Sequence, residues 1–272
     1  MDINKINTNS VIPDIQSLVD ARKIPIKRVG IRNICLPTNI SDASSIIQNT
    51  IANWTMTVSL SENDKGTHMS RFIVLLENYR TKILTPALFG SMSLEMLTLL
   101  NAINGDISLS FPFFIEKTAP VSKSKSLMDY KVEWIVRATE KIKTEFELII
   151  QIPVTSLCPC SKAISSYGAH NQRSNITISL VFNDYSDIKM SDFIVLAEKE
   201  SSCELWSLLK RPDEKYVTEY AYENPKFVED LVRDLAASID KKFLNIKKYR
   251  IEAENFESIH NHSAYAMVEK SV

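Results

Sequence analysis

Most of the reactive chemistry of this chain lies in one run, Leu157-Cys158-Pro159-Cys160-Ser161-Lys162, continuing through Tyr167-Gly168-Ala169-His170-Asn171-Gln172-Arg173-Ser174. It carries two of the four cysteines and one of the four histidines in 272 residues. A thiol and an imidazole brought together after a strand can ligate a divalent metal or activate a nucleophile, and either points to an enzyme. Neither residue belongs to a Cys-x-x-Cys pair, so a closed structural zinc site would need ligands from elsewhere. A catalytic site needs only three protein ligands and an open position for water. The plain alternative is a buried cysteine near a hydrogen-bonded histidine, and the polar residues crowding this loop weigh against it.

Three other runs hold candidate groups. The stretch Lys210-Arg211-Pro212-Asp213-Glu214, with Phe227-Val228-Glu229-Asp230 beyond it, offers carboxylates. One could complete a metal shell, and another could accept the paired N–H donors of a purine. Otherwise these are a solvated charged turn and an ordinary helix face. Lys65-Gly66-Thr67-His68-Met69-Ser70-Arg71 precedes an amphipathic helix, so Ser70 is the expected N-cap. A helix N-terminus with Arg71 and Lys65 suits a phosphate, although a capped helix after a surface turn reads equally well. In Glu257-Ser258-Ile259-His260-Asn261-His262, two histidines at i and i+2 would point to opposite faces of an extended segment.

Alternating and helical patterns define the elements that must hold these groups. Trp54, Met56, Val58 and Leu60 share one face of a strand, as do Ile107, Leu109, Phe111 and Phe113, and Val132, Trp134, Val136 and Ala138. Helical spacing links Phe72 to Tyr79, and a second helix covers about 87–103. The later half repeats this order, with strands through Phe146–Ile150 and Ile176–Leu180, helical segments at about 190–204 and 225–243, and a strand through Tyr249, Ile251 and Ala253 before a short tail at 260–268. Asn224 and Pro225 are the expected cap and first turn of the helix at 225–243. Each half therefore reads strand, strand, helix, helix, strand, strand. That predicts an α+β protein of antiparallel sheet with helices on one face. The expected divisions are an N-terminal extension at 1–27, one unit at 28–140, and a second at 141–272 carrying the Cys/His/Glu site.

A net charge of −1 gives no bulk attraction to nucleic acid or anionic membrane, and no apolar run approaches the ~20 residues that span a bilayer. The polar N-terminus lacks a signal-peptide core, and the cysteine spacing forms no disulfide framework, so a cytoplasmic protein with reduced thiols is expected. Five glycines and no dinucleotide or P-loop signature argue against a glycine-rich phosphate loop.

The run 157–162 with 167–174 closely resembles the type IB GTP cyclohydrolases, and so, in order, do 66–71, 211–214 leading into 223–230, and 257–262. The similarity extends over about residues 20 to 268. It implies a tunnelling fold of two ββααββ units per chain, assembled as a toroidal homotetramer with active sites between subunits. It also implies conversion of GTP and water to formate and 7,8-dihydroneopterin triphosphate, the first step toward tetrahydrofolate. Carried over by residue, Cys158, His170 and Glu214 would hold one divalent metal, with Zn, Mn or Fe all compatible with that mixed set. Glu229 would anchor guanine, and His68, His260 or His262 would shuttle protons. Arg71, Arg173 and Lys65 would hold the triphosphate. Two rivals remain at this point: a nitrile-reductase-like enzyme on the same fold, using Cys158 as covalent nucleophile, and a non-enzymatic structural-zinc module.

Overall fold

The computed structural model describes residues 14–141 and 143–271. Residues 1–13 of the expected extension lie outside that range. Nine strands form one sheet: β1 (Ile26–Ile40), β2 (Gln48–Leu60), β3 (Ile83–Leu84), β4 (Asn104–Thr118), β5 (Lys125–Thr139), β6 (Lys143–Leu157), β7 (Asn171–Phe182), β8 (Ile246–Asn255) and β9 (Ala264–Ser271). Their order is β3-β1-β2-β4-β5-β6-β7-β8-β9, antiparallel throughout except for the two-residue β3, which runs parallel to β1. Six helices accompany them: α1 (Met69–Tyr79), α2 (Pro86–Leu100), α3 (Pro159–Ile164), α4 (Met190–Glu200), α5 (Arg211–Glu223) and α6 (Val228–Lys242).

Period-two alternation puts one side of every central strand into a single core. Trp54, Met56, Ile107, Leu109, Trp134, Val136, Phe146, Leu148, Ile178 and Leu180 meet the apolar stripes of α1, α2, α4 and α6 there. Trp134 is wholly buried and makes edge-on or tilted contacts with Phe89 of α2 and with Phe111 and Phe146 of the neighbouring strands. The other side of the same strands is polar, with Asn53, Thr55, Ser108, Glu133 and Arg137 lining an open surface. Helices on one face and polar strand residues on the other agree with the pattern of the sequence.

Local punctuation differs from expectation in several places. Residues 211–223 form α5 rather than a charged turn, because Asp213 at its third position accepts from the Lys210 N–H at 2.9 Å and so nucleates the first turn. Asn224 ends α5 instead of starting α6: its N–H donates to the Ala221 carbonyl and its side-chain amide to the Tyr220 carbonyl. Phe227 occupies the N-cap of α6, where Asp230 accepts the Phe227 N–H. His68, not Ser70, is the N-cap residue of α1, with no side-chain cap. The expected C-terminal tail is a strand, β9, paired with β8 from Lys248↔Ser271 to Asn255↔Ala264.

Candidate functional site

At one end of the sheet the inward-facing stripe changes character. Along β6, β7 and β8 the apolar positions Val154, Ile176 and Ala253 give way to Ser156, Ser174, Gln172 and Asn255, all buried. Ser174 Oγ lies 2.8 Å from Ser156 Oγ and donates to Asn255 Oδ1 at 2.7 Å. Hydrogen-bonded polar groups replace hydrocarbon where the core would otherwise continue. Cys158 follows directly as the N-cap residue of α3.

Backbone bonds tie Cys158 to His170. The Cys158 N–H donates to the His170 carbonyl at 3.2 Å, while Ser161 Oγ donates to the Cys158 carbonyl and accepts the His170 N–H. Gly168 makes the turn before His170 with φ +119°, a conformation L side chains rarely adopt. His170 Nδ1 sits 2.9 Å from Gln172 Oε1, and the Gln172 amide donates to Glu257 Oε1 at 3.2 Å. That pairing leaves Nε2 of His170 without a partner in the network, and Glu257 Oε2 stands 3.8 Å from Nδ1. Cys158 is a partly exposed free thiol with Sγ 3.5 Å from the Ser161 N–H, whereas Cys160 is exposed on α3. Cys203 is buried nearby, and burial pushes its thiol up to about 11.

Two helices close this end. The Lys226 N–H donates to the Leu157 carbonyl, so the N-terminus of α6, with Glu229 exposed in its first turn, lies beside Cys158. Val217 and Ala221 of α5 pack with Leu157, Cys203 and Ala169. Glu214 falls on the same helical stripe as Val217 and Ala221, three and seven residues earlier, and is itself exposed. The β8–β9 connection brings His260 and His262 to this end as well. They do not diverge as an extended segment would require; their rings stack at 5.1 Å because the chain bends there.

The remaining predicted groups separate from these. His68 and Arg71 line a cleft of about 760 Å³ with Gln16, Arg28, Ser59 and Asn104. His68 Nε2 is 3.6 Å from Asp14, and Arg71 donates to the Leu99 carbonyl. Lys65 is exposed, with its N–H on the Leu18 carbonyl. Gly105 of this cleft pairs with Ala138, which pairs with Thr144, 13 residues before Leu157 on β6. At ~3.3 Å per strand residue the cleft and Cys158 stand about 40 Å apart, at opposite ends of the sheet. Arg173 adjoins Gln172 in sequence but occupies the other side of β7 and is exposed.

Cys158, His170, Glu229, His260 and His262 therefore share one end, Glu214 is exposed at the start of the helix that packs beside it, and His68, Arg71 and Lys65 lie away from it. Among the described residues no three His, Cys, Asp or Glu side chains form a group that could hold a metal. Sequence reasoning assigned no role to Gln172 and Glu257, although both lie in the quoted motifs. It also missed Lys117, whose only sequence signal is a charge at an inward position of the β4 alternation.

The family model for type I GTP cyclohydrolase folE2 matches residues 12–266. GTP cyclohydrolase FolE2 of Bordetella petrii is 61% identical over 259 residues, covering 95% of this chain and 96% of that protein. GTP cyclohydrolase FolE2 of Paraburkholderia xenovorans is 51% identical over 98% of both chains. Among solved structures, a uricase from Bacillus fastidious superposes with a TM-score of 0.54 at 8% identity, over 90% of this chain and 92% of that one. Urate oxidase from Bacillus subtilis gives a TM-score of 0.50 at 9% identity, over 90% and 98%. These two show a shared fold and nothing of activity. The nucleophile and structural-zinc rivals yield to the sequence relatives: the chain belongs to the type I GTP cyclohydrolase FolE2 family and is a GTP cyclohydrolase.

Proposed function

We propose that GTP is opened at the Cys158 end of the sheet, giving formate and 7,8-dihydroneopterin triphosphate for tetrahydrofolate synthesis. The observation that carries this is the gathering of Cys158, the Gln172-held His170, the N-terminus of α6 and the His260–His262 pair where the buried stripe turns polar. Cys158, His170 and Glu214 would hold a divalent ion, and their thiolate, imidazole and carboxylate donors suit Zn, Mn or Fe alike. The free thiol of Cys158, the Nε2 of His170 left outside the Gln172 bond and the solvent-accessible carboxylate of Glu214 fit that role chemically. An ion held there supplies Lewis acidity and a water of lowered pKa.

Glu229 accepts from the paired N–H donors of guanine, aided by its place at a helix N-terminus beside Leu157. His260 and His262 move protons during ring opening, formate loss and reclosure; their position favours them over His68 within one chain. Arg71 and Lys65 act on the triphosphate, and His68 on proton transfer, from a neighbouring subunit, because about 40 Å of β-strand separates their cleft from Cys158 in a single chain. Arg173, on the far side of β7, joins the triphosphate site only across such an interface. A homotetramer of chains, each with two ββααββ units divided near residue 140, provides it; the free edge of β9 and the short β3 are the edges such an assembly would cover. No helix among the described residues is long and apolar enough to cross a membrane.

An anaerobic assay of metal-free protein, with and without added Mn²⁺, Zn²⁺ or Fe²⁺, tests the reading. Formate and a fluorescent neopterin should appear only with metal. Equal turnover in the metal-free protein would remove the metal from the site.

A further inference from the structure

The carboxylate next in sequence to Glu214, Asp213, caps α5 and is itself buried. Asp213 has no exposed surface, yet among the described residues no lysine or arginine side chain pairs with it. Its Oδ1 accepts the N–H groups of Val121 and Ser122, each at 2.8 Å, and its Oδ2 accepts the Lys210 N–H at 2.9 Å. Burial alone would push its carboxyl up, but the bonds from Ser122, Lys210 and Val121 outweigh it and hold the group far below the usual carboxylate range.

Val121 and Ser122 belong to the β4–β5 turn, which comes from the first half of the chain, while Asp213 opens α5 in the second half. The ten residues before α5, 201–210, are fastened to the same turn and to the end of β6. Cys203 exchanges backbone bonds with Thr155, and Ser202 Oγ accepts the Leu157 N–H. Lys117, almost wholly buried at 7% exposure, lies 2.8 Å from Glu198 and 2.5 Å from Glu204, and Tyr130 donates to Glu198 at 2.6 Å. Trp206 Nε1 donates to the Thr118 carbonyl at 3.1 Å and Ser207 Oγ to the Leu127 carbonyl at 2.7 Å. This segment runs from the end of α4, past the residue before Cys158, to the first turn of α5, and so fixes the start of α5 relative to the end of β6.

We infer that Asp213 is a positioning residue for Glu214: it pins the first turn of α5 to the β4–β5 turn so that the Glu214 carboxylate is held ready for the metal. The inference rests on the reading of Glu214 as a ligand. A helix start held only by a solvent-exposed cap frays within its first turn, which is where Glu214 lies. A carboxylate with both oxygens engaged by three backbone donors holds that turn from two directions. An amide of the same shape would keep the bonds to Val121 and Ser122 but turn a donor toward the Lys210 N–H.

The test measures metal affinity by competition with a chromophoric chelator, alongside kcat, KM for GTP and thermal melting. Asp213→Asn should melt cooperatively and bind metal ~10- to 100-fold more weakly, with KM changed less than about two-fold. Wild-type metal affinity in D213N would overturn the inference whatever happens to its melting temperature. Glu214→Gln separates the two levels: unchanged metal affinity there would refute the ligand reading itself. If D213N does not fold, Trp206→Phe with Ser207→Ala loosens the same segment from the turn. It should weaken metal binding by about three-fold or more, and unchanged affinity would again overturn the role.

Discussion

Cys158 and Cys160 are two residues apart, yet they meet different surroundings. Cys158 caps α3, half-buried, with its backbone bonded to residue 170, while the Cys160 side chain is exposed on the helix. Replacing Cys158 by Ala should abolish metal binding and turnover, whereas Cys160→Ala should keep substantial activity. Metal content and neopterin fluorescence of the two purified variants check this, and the reverse pattern would reassign the thiol ligand. Glu229 is separable in the same way. Loss of a charged acceptor facing guanine is worth about 1.5–3 kcal/mol, so Glu229→Gln should raise KM for GTP by roughly 10- to 100-fold with metal retained. A KM equal to wild type would remove its anchoring role. Residue types within the motifs were readable because thiol, imidazole and carboxylate chemistry belongs to the side chain itself. The partners of His170 were not, since Gln172 and Glu257 meet it only where β7 and the β8–β9 connection converge.

Elements impose conditions that no single functional group does. The turn 165–170 must reverse tightly to return His170 to the Cys158 backbone, and Gly168 supplies the backbone angle. No atom stands within 4 Å of where a Cβ would lie, so Gly168→Ala meets only backbone strain, about 1–3 kcal/mol. We expect a modest fall in melting temperature and a larger fall in kcat, because the strained turn displaces His170. Wild-type kcat in G168A would show that the turn tolerates other geometries. Helix α5 illustrates a different difficulty. It opens on Arg211-Pro212-Asp213-Glu214-Lys215, and its few inward apolar residues, Val217, Ala221 and Tyr222, do not announce a helix by periodicity. The cap at Asp213 and the tertiary contacts of the preceding segment decide its conformation. The β-strands were legible for the opposite reason: alternation in β4, β5 and β6 is uninterrupted over many residues and meets one continuous core.

At the scale of the whole molecule, the sheet keeps two sets of motif residues about 40 Å apart, one around Cys158 and one around His68 and Arg71. If a single substrate spans both, the two sets come from different subunits. Inactive His68→Ala and inactive Cys158→Ala chains, co-expressed, should then form mixed assemblies with restored activity. Random 1:1 mixing leaves about a quarter of the shared sites intact. Restoration to roughly that fraction supports sharing, and no restoration in proven heteromers would place the complete site within one chain. The polar open face, the exposed edge of β9 and exposed Ile51 and Leu127 are features an isolated chain exposes, and assembly offers a physical reason for them.

By itself the sequence determined which groups are present and which elements carry them. Side-chain chemistry is intrinsic, and the periods of strand and helix are local consequences of backbone geometry. The order of the motifs was enough to identify the family. Only the tertiary structure decided which motifs meet. Sheet register set Cys158 opposite His170 and far from His68, the bend at 256–263 stacked His260 on His262, and the burial of Asp213 beneath the β4–β5 turn joined residues 91 and 92 positions apart. Such contacts depend on where distant strands close against one another, which composition and spacing along the chain do not encode locally.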